Sequence, residues 1–346
     1  MALPFRARYT PVIYWLDISM RPLSSRDPTM NRRNPRVTTA LLARRARALK
    51  RHLRDAALGN GHGIHQARVA SRRLREAVPV LATGLKDAKS KKARKKIRRI
   101  TRALGSIREL DVTVTLLDEL TTQEGIPRVA LEEVRAHVLA EQERRRDVML
   151  KRLSRVKVDK LERRLAALGA ALQETGTQEW RRTLAARLIK RSKLLRIGVD
   201  HAGQLYEAER LHAVRIAAKK LRYAAELAAE AGIRAAAKPV RAIKQAQDTL
   251  GRLHDLQVLQ THIAAVQAMP RRSRATDTGL QTISRKLEDE CRHVHARYVA
   301  SVPALKAVID DMRALVVPDL LRPRPRRPMK MKLARPSIRR IPAATV

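Results

Sequence analysis

The chain has 346 residues, with 75 lysines and arginines against 33 acids and a formal charge of +42. A surplus this large exceeds what solubility needs and repels the compact state, so it implies a polyanionic partner: nucleic acid, an anionic membrane surface or a phosphate polymer. Aromatics make up 2% of residues, which disfavours base-stacking single-strand binders and ring-bearing RNA-reading sheets.

Alanine, leucine, arginine and glutamate dominate, so helix is the default, and an all-α fold is expected. The single Cys291 excludes an internal disulfide framework and fits a reducing, cytoplasmic compartment. No apolar run reaches the roughly 18 residues of a membrane span.

Residues 1–36 are rich in Pro, Arg and Ser without a helical period and are expected to be a disordered basic extension. Their apolar patch at 12–16 is too short and wrongly flanked for a signal peptide, and Met30 is an alternative start to Met1. Residues 37–58 form the first strong helix, ended by Gly59-Asn60-Gly61. A helix at 62–81 follows. The next, at 89–104, sets Lys92, Lys95, Arg98 and Arg102 on one face and Ile97, Ile100 and Leu104 on another. After Gly105 come helices at 109–122, 128–153 and 157–173, with Gly125-Ile126-Pro127 punctuating the run.

Residues 174–178 are the best boundary between two halves, about 37–174 and 178–317. The second half reads as helices at 180–201, 207–231, 235–250 and 255–269. A long helical region follows at 275–315, with Pro303 a candidate interruption. Lys238, Arg241 and Lys244 align with Lys92, Lys95 and Arg98. Residues 318–346 are proline, arginine and lysine with almost no acid, and are expected to be a disordered tail that raises encounter with anions.

Two helices carry an unusual stripe. In IHQARVASRRLREA, at 64–77, His65, Arg68, Arg72 and Arg75 fall at i, i+3, i+7 and i+10 on one helical face. Arg73 lies to one side, and Ala67, Ala70, Leu74 and Val78 oppose the stripe. In LHAVRIAAKKLRYA, at 211–224, His212, Arg215, Lys219 and Arg222 take the same offsets, with Lys220 in the place of Arg73. Each copy is followed at nearly equal distance by a second shared segment, LGSIRELDV at 104–112 and LGRLHDLQV at 250–258. Two motifs in the same order with matching separation mean an internal duplication.

These segments resemble the CHAD family, the conserved-histidine α-helical domains. There a His-x-x-Arg-hydrophobic-x-x-basic-basic-Leu-Arg motif occurs once per half, followed by a helix ending in Leu-Gly-x-x-x-acidic. Val69 and Ile216 fill the hydrophobic slot here, and the resemblance covers roughly 37–315. It implies an all-α domain of two helical-bundle halves that binds inorganic polyphosphate with no chemistry of its own, in association with polyphosphate granules. Duplication and resemblance together suggest halves packed about a pseudo-twofold axis, with the stripes converging on a basic central groove or pore.

The residue types suit such a ligand. A phosphate polymer carries charge along its whole length and has no bases to read, so it needs many donors on rigid elements and no stacking platform. Arginine offers a planar fork for phosphate oxygens and lysine a point charge, each charge-assisted bond being worth roughly 1.5–3 kcal/mol. His65 and His212 either contact the anion, taking up protons near their ordinary pKa of about 6.5, or lie buried and fix helix packing. Arg108 and His254 occupy equivalent slots able to extend the anion site, although His254 departs from the small polar residue expected from the family. Glu109 and Asp255 beside them read as helix caps. Asp111 is Gln257 in the second copy, which argues against catalytic pairing. Arg44, Arg45, Arg47, Lys50 and Arg51 encircle their helix and read as a solvated face, as do residues 144–146.

Cys291, His293 and His295 do not share one helical face, and no Cys-x-x-Cys, His-Glu-x-x-His or acidic calcium loop is present, so neither metal nor cofactor is expected. No glycine loop or nucleophile elbow suggests nucleotide hydrolysis or acyl transfer. The main alternative partner is nucleic acid, bound non-specifically in the manner of nucleoid proteins or through the basic tails. A phosphate-transferring enzyme ranks below it.

Overall fold

The computed structural model describes residues 37–85, 88–175, 179–270 and 273–322. The expected disorder of 1–36 and of the tail beyond 322, and the centre of the boundary at 176–178, lie outside those residues.

Among the described residues every regular element is a helix. The first half comprises α1 (Val37–Ala57), α2 (Gly61–Leu81), α3 (Ala88–Ala103), α4 (Gly105–Thr121), α5 (Arg128–Ser154) and α6 (Val158–Thr175). The second comprises α7 (Glu179–Ala202), α8 (Ala208–Glu230), α9 (Ala237–Gln267), α10 (Arg274–Asp311) and α11 (Val317–Leu321). A 3-10 turn precedes α9, and a π-helical stretch, Met312–Val316, joins α10 to α11. In each half the first helix packs on the stripe-bearing one, α1 on α2 and α7 on α8, and that helix packs on its successor, α3 or α9. The halves meet where α2 touches α7 and α8, and where α4 and α5 touch α9.

The apolar stripes decide this arrangement. Ile64, Ala67, Leu74, Ala77 and Val78 of α2 are buried, as are Leu211, Val214, Ala218, Leu221 and Ala225 of α8. The same period therefore points the basic stripe of each helix away from its half's core. At the α1–α2 corner Gly59 turns the chain at φ 74°, and the Asn60 side chain accepts the Gly63 N–H at 2.9 Å. Gly63 lies so close to α1 that a Cβ there would stand 2.4 Å from that of Asp55, so only glycine permits this crossing.

Two arginines bridge the halves in equivalent ways. Arg45 of α1 is 4% exposed. It donates through Nη1 to the Arg73 carbonyl at 2.6 Å and pairs with Glu230 of α8 at 3.1 Å. Arg191 of α7 donates to the carbonyl of Lys220, the counterpart of Arg73, and pairs with Glu76 of α2 at 2.7 Å. Each thus fixes its own half's stripe helix to an acid on the other half's. Arg44 joins Glu230 at 2.5 Å and Arg187 joins Glu76 at 3.0 Å. The face containing Arg44 and Arg45 is therefore a structural seam, not the solvated surface expected.

Three further expectations change. Residues 235–250 and 255–269 are one helix, because Leu250, Leu253, Leu256 and Leu259 continue a buried stripe across Gly251. Helix α10 runs through Pro303, held down by Leu305, Val308 and Ile309. Residues 318–322, expected in the tail, are part of the packed structure: Val317 and Leu320 are buried, α11 lies on α7, and Arg181 of α7 donates to the carbonyls of Leu320 and Arg322 at 3.3 and 3.1 Å. Pro318 is compatible because it stands in the first turn of α11, where no helical N–H is missed.

Candidate functional site

The two stripe helices carry their cations to a common place. The charge of Lys219 on α8 is felt with those of Arg215, Arg72 and Arg68, and that of Arg215 with Arg72. Burial, followed by these three arginines and opposed by Asp255, brings the Lys219 ammonium down to about 7. Burial and then Arg72 lower the Arg68 guanidinium to about 10. Burial also lowers Arg215, opposed by Asp255 and reinforced by Arg72. Neither Arg72 nor Lys219 has a carboxylate within ion-pair distance among the described residues.

The histidines border this cluster. Burial, then Arg108, His62, Arg68 and Arg72, push His65 down to about 4, and its Nδ1 is buried without a hydrogen-bond partner. His254 lies against His212 with ring centroids 4.9 Å apart and the ring planes tilted by 43°. Burial followed by Arg215, His212 and Lys219 pushes His254 to about 4 as well. Burial and these arginines thus disfavour the charged form of His65 in the free protein, the form that a bound anion favours. Lys219, at about 7, is a cluster group that titrates near neutrality.

The turn residues belong to the same constellation. Asp255 lies 3.9 Å from Arg215 and also feels Lys219 and Arg108. Burial lowers Arg108, opposed by Asp111 and Asp255. Glu109 and Asp255 are not helix caps: Glu109 is in the second turn of α4, and Asp255 is in the middle of α9. They set negative charge beside the arginines, which positions the cations and limits their mutual repulsion.

Several expected site residues are placed otherwise. Arg73 pairs with Glu226 at 2.9 Å, and Arg222 pairs with Glu226 at 2.7 Å while donating to Gln247 at 2.8 Å. Glu226 is almost fully buried; through it Arg73 fastens α2 to α8, while Arg222 holds the Glu226 carboxylate from within α8 and ties α8 to α9 through Gln247. Arg75 and Lys220 are exposed. The stripe drawn on α3 is divided: Arg98 neighbours Arg75 of α2, whereas Lys92 sits with Lys160, Arg163 and Arg164 of α6. Lys95 and Arg102 are exposed. Lys238, Arg241 and Lys244 line the exposed side of α9, where Lys244 faces Asp248.

Sequence reasoning missed Glu226, Glu230 and Glu76, each of which has a partner more than 100 residues away in the chain. An acid on an otherwise apolar helical face was the one available signal, and Glu226, between Ala225 and Leu227, gives it. Among the described residues no group of three His, Cys, Asp or Glu side chains is placed to hold a metal ion. None of the described helices is long and apolar enough to cross a membrane.

Comparison with known proteins bears on this arrangement. The family model described as "CHAD domain" matches residues 40–264. Among solved structures, the CHAD domain from the plant Ricinus communis superposes with a TM-score of 0.56 at 23% identity, covering 79% of this chain and 90% of that one. PptA from Streptomyces chartreusis superposes with a TM-score of 0.52 at 16% identity, covering 80% and 97%. No curated protein matches. At these identities the structural likeness speaks for the fold alone, but the family model spans well over half of the sequence, and the chain belongs to the CHAD domain family.

Proposed function

We propose that this protein binds inorganic polyphosphate at the α2–α8 cluster, carries out no chemistry on it, and acts at polyphosphate granules in the cytoplasm. In this reading the halves are related by a pseudo-twofold axis and share one basic groove. The observation that carries it is the crowding of Arg68, Arg72, Arg215 and Lys219, from both halves, with too few acids to neutralise them. Burying like charges together costs free energy, and a bound polyanion recovers it. Arginine forks and a lysine point charge on rigid helices suit a polymer of phosphates. Tyr223, the tyrosine beside them, has the Arg222 guanidinium over its ring at 5.0 Å, which occupies the face a base would stack on.

Competition separates this reading from nucleic-acid binding. With the full chain at fixed salt, long polyphosphate should displace duplex DNA at far fewer charge equivalents than DNA needs to displace polyphosphate. The reverse ranking would make nucleic acid the ligand. Incubation with polyphosphate and magnesium should release no phosphate, and release would make the protein an enzyme.

A further inference from the structure

Outside the α2–α8 cluster, α3 carries a second basic face. Lys96 and Arg98 stand about 160° apart around α3, flanking the buried Ala93, Ile97 and Ile100. Arg98 faces Arg75 of α2. Lys96 faces α6, where its ammonium donates to the Lys157 carbonyl at 3.0 Å among Arg164, Lys160 and Lys157. Lys92, one turn before Lys96, lies in a shallow depression with Lys160, Arg163 and Arg164.

This surface is as poor in acid as the central cluster. None of Lys92, Lys96, Lys157, Lys160, Arg163 and Arg164 has a carboxylate at ion-pair distance among the described residues. Glu162, the nearest candidate in sequence, is turned to Lys50 of α1 at 2.8 Å. Asp159 lies at the rim, between Lys157 and Lys160. Lys157, Lys160 and Arg163 are exposed, so their charges do not support the core. The two basic faces are separated by one helix, a width of about 10–12 Å, and Arg75 and Arg98 stand on the near side of it.

We infer that the α3–α6 surface carries the outer stretch of the same polyphosphate chain, so that a long polymer runs from the α2–α8 cluster past Arg75 and Arg98 and over α3, while a short one stays in the cluster. The inference rests on the proposed function. It adds an interaction surface and a dependence on chain length.

The test compares the full chain with a variant carrying Lys157→Gln, Lys160→Gln and Arg163→Gln, using oligomers of a few phosphates and long-chain polyphosphate. A control variant, Arg144→Gln, Arg145→Gln and Lys151→Gln on α5, removes the same charge from another exposed surface. The α6 variant should keep the parent's melting temperature and its affinity for short oligomers, yet bind long chains about tenfold more weakly. Its log affinity for long chains should fall less steeply with log salt, by about 2 in slope for three lost contacts. The control should do neither. Unchanged affinity of the α6 variant for long chains overturns the inference, as does an equal loss on short and long chains. A loss confined to duplex DNA overturns it too and assigns the surface to nucleic acid. If the parent binds neither length, the reading of the central cluster fails and this inference with it.

Discussion

The two copies of the shared motif differ in what their arginines are tied to. In the first half the chain breaks between α3 and α4, and Arg68 donates to the carbonyls of Leu104 and Gly105 at that joint. In the second half the same segment runs unbroken through α9, and the counterpart Arg215 has no joint to hold. Its Nε is buried without a partner, and its nearest acid, Asp255, is 3.9 Å away. The next motif positions divide the other way across the seam. Arg73 is held by Glu226 while its counterpart Lys220 is exposed, and Arg75 is exposed while its counterpart Arg222 is held by Glu226. Duplicated letters thus do two jobs. In each half some cations fasten the fold and their counterparts stay free.

Breaking the seam should have the largest effect. Glu226→Ala leaves the half-buried Arg73 without its acid and Arg222 with Gln247 alone, and should cost about 2–3 kcal/mol, seen as a clear fall in the midpoint of chemical denaturation. A variant as stable as the parent would mean that Glu226 does not join the halves.

Arg68 and Arg215 sharpen the comparison. Arg215→Ala should weaken polyphosphate binding roughly 10- to 100-fold, the worth of one charge-assisted contact, with little change in melting temperature. Arg68→Ala should lose more stability than Arg215→Ala does and less affinity. Equal effects of the two on both measurements would erase the distinction between a fastening and a free arginine.

Proton linkage is the smaller effect. Lys219 lies at about 7 in the free protein, and a bound polyanion favours its charged form. Binding at pH 8 should therefore take up at most about one proton, and affinity should fall as pH rises through 7. Calorimetry in buffers of different ionisation enthalpy measures this. Lys219→Arg, always charged, should keep the affinity and lose the uptake; uptake that persists in this variant would point to another group. Stability follows with the opposite sign. The folded-state pKa of Lys219 lies below its ordinary 10.5, so the folded chain binds fewer protons between about 7 and 10.5, and Lys219 makes folding more favourable as pH rises through that window.

Much of the framework was legible because it is periodic. The stripes of α2 and α8, their opposing apolar faces and most helix ends follow from spacing and from glycine and asparagine signals such as Gly59-Asn60. What escaped was long-range. Glu226 meets Arg73 across 153 positions, and although an acid between apolar neighbours marks Glu226, nothing local names its partner. Residues 235–250 and 255–269 read as two helices, yet the leucines on either side of Gly251 bury as one face. Pro318 read as the start of a tail, but Leu320 and Val317 have α7 to dock on. The α3 stripe was divided because Lys92 and Arg98, although both cationic and close in sequence, face different neighbouring helices.

The most direct test of a shared site is a double-mutant cycle on polyphosphate affinity with Arg72→Ala and Lys219→Ala, one residue from each half. Cations holding the same stretch of polymer should couple, with a departure from additivity of about 1 kcal/mol or more and no loss of fold. Losses that add within about 0.3–0.5 kcal/mol would place the two residues on separate surfaces and contradict the account.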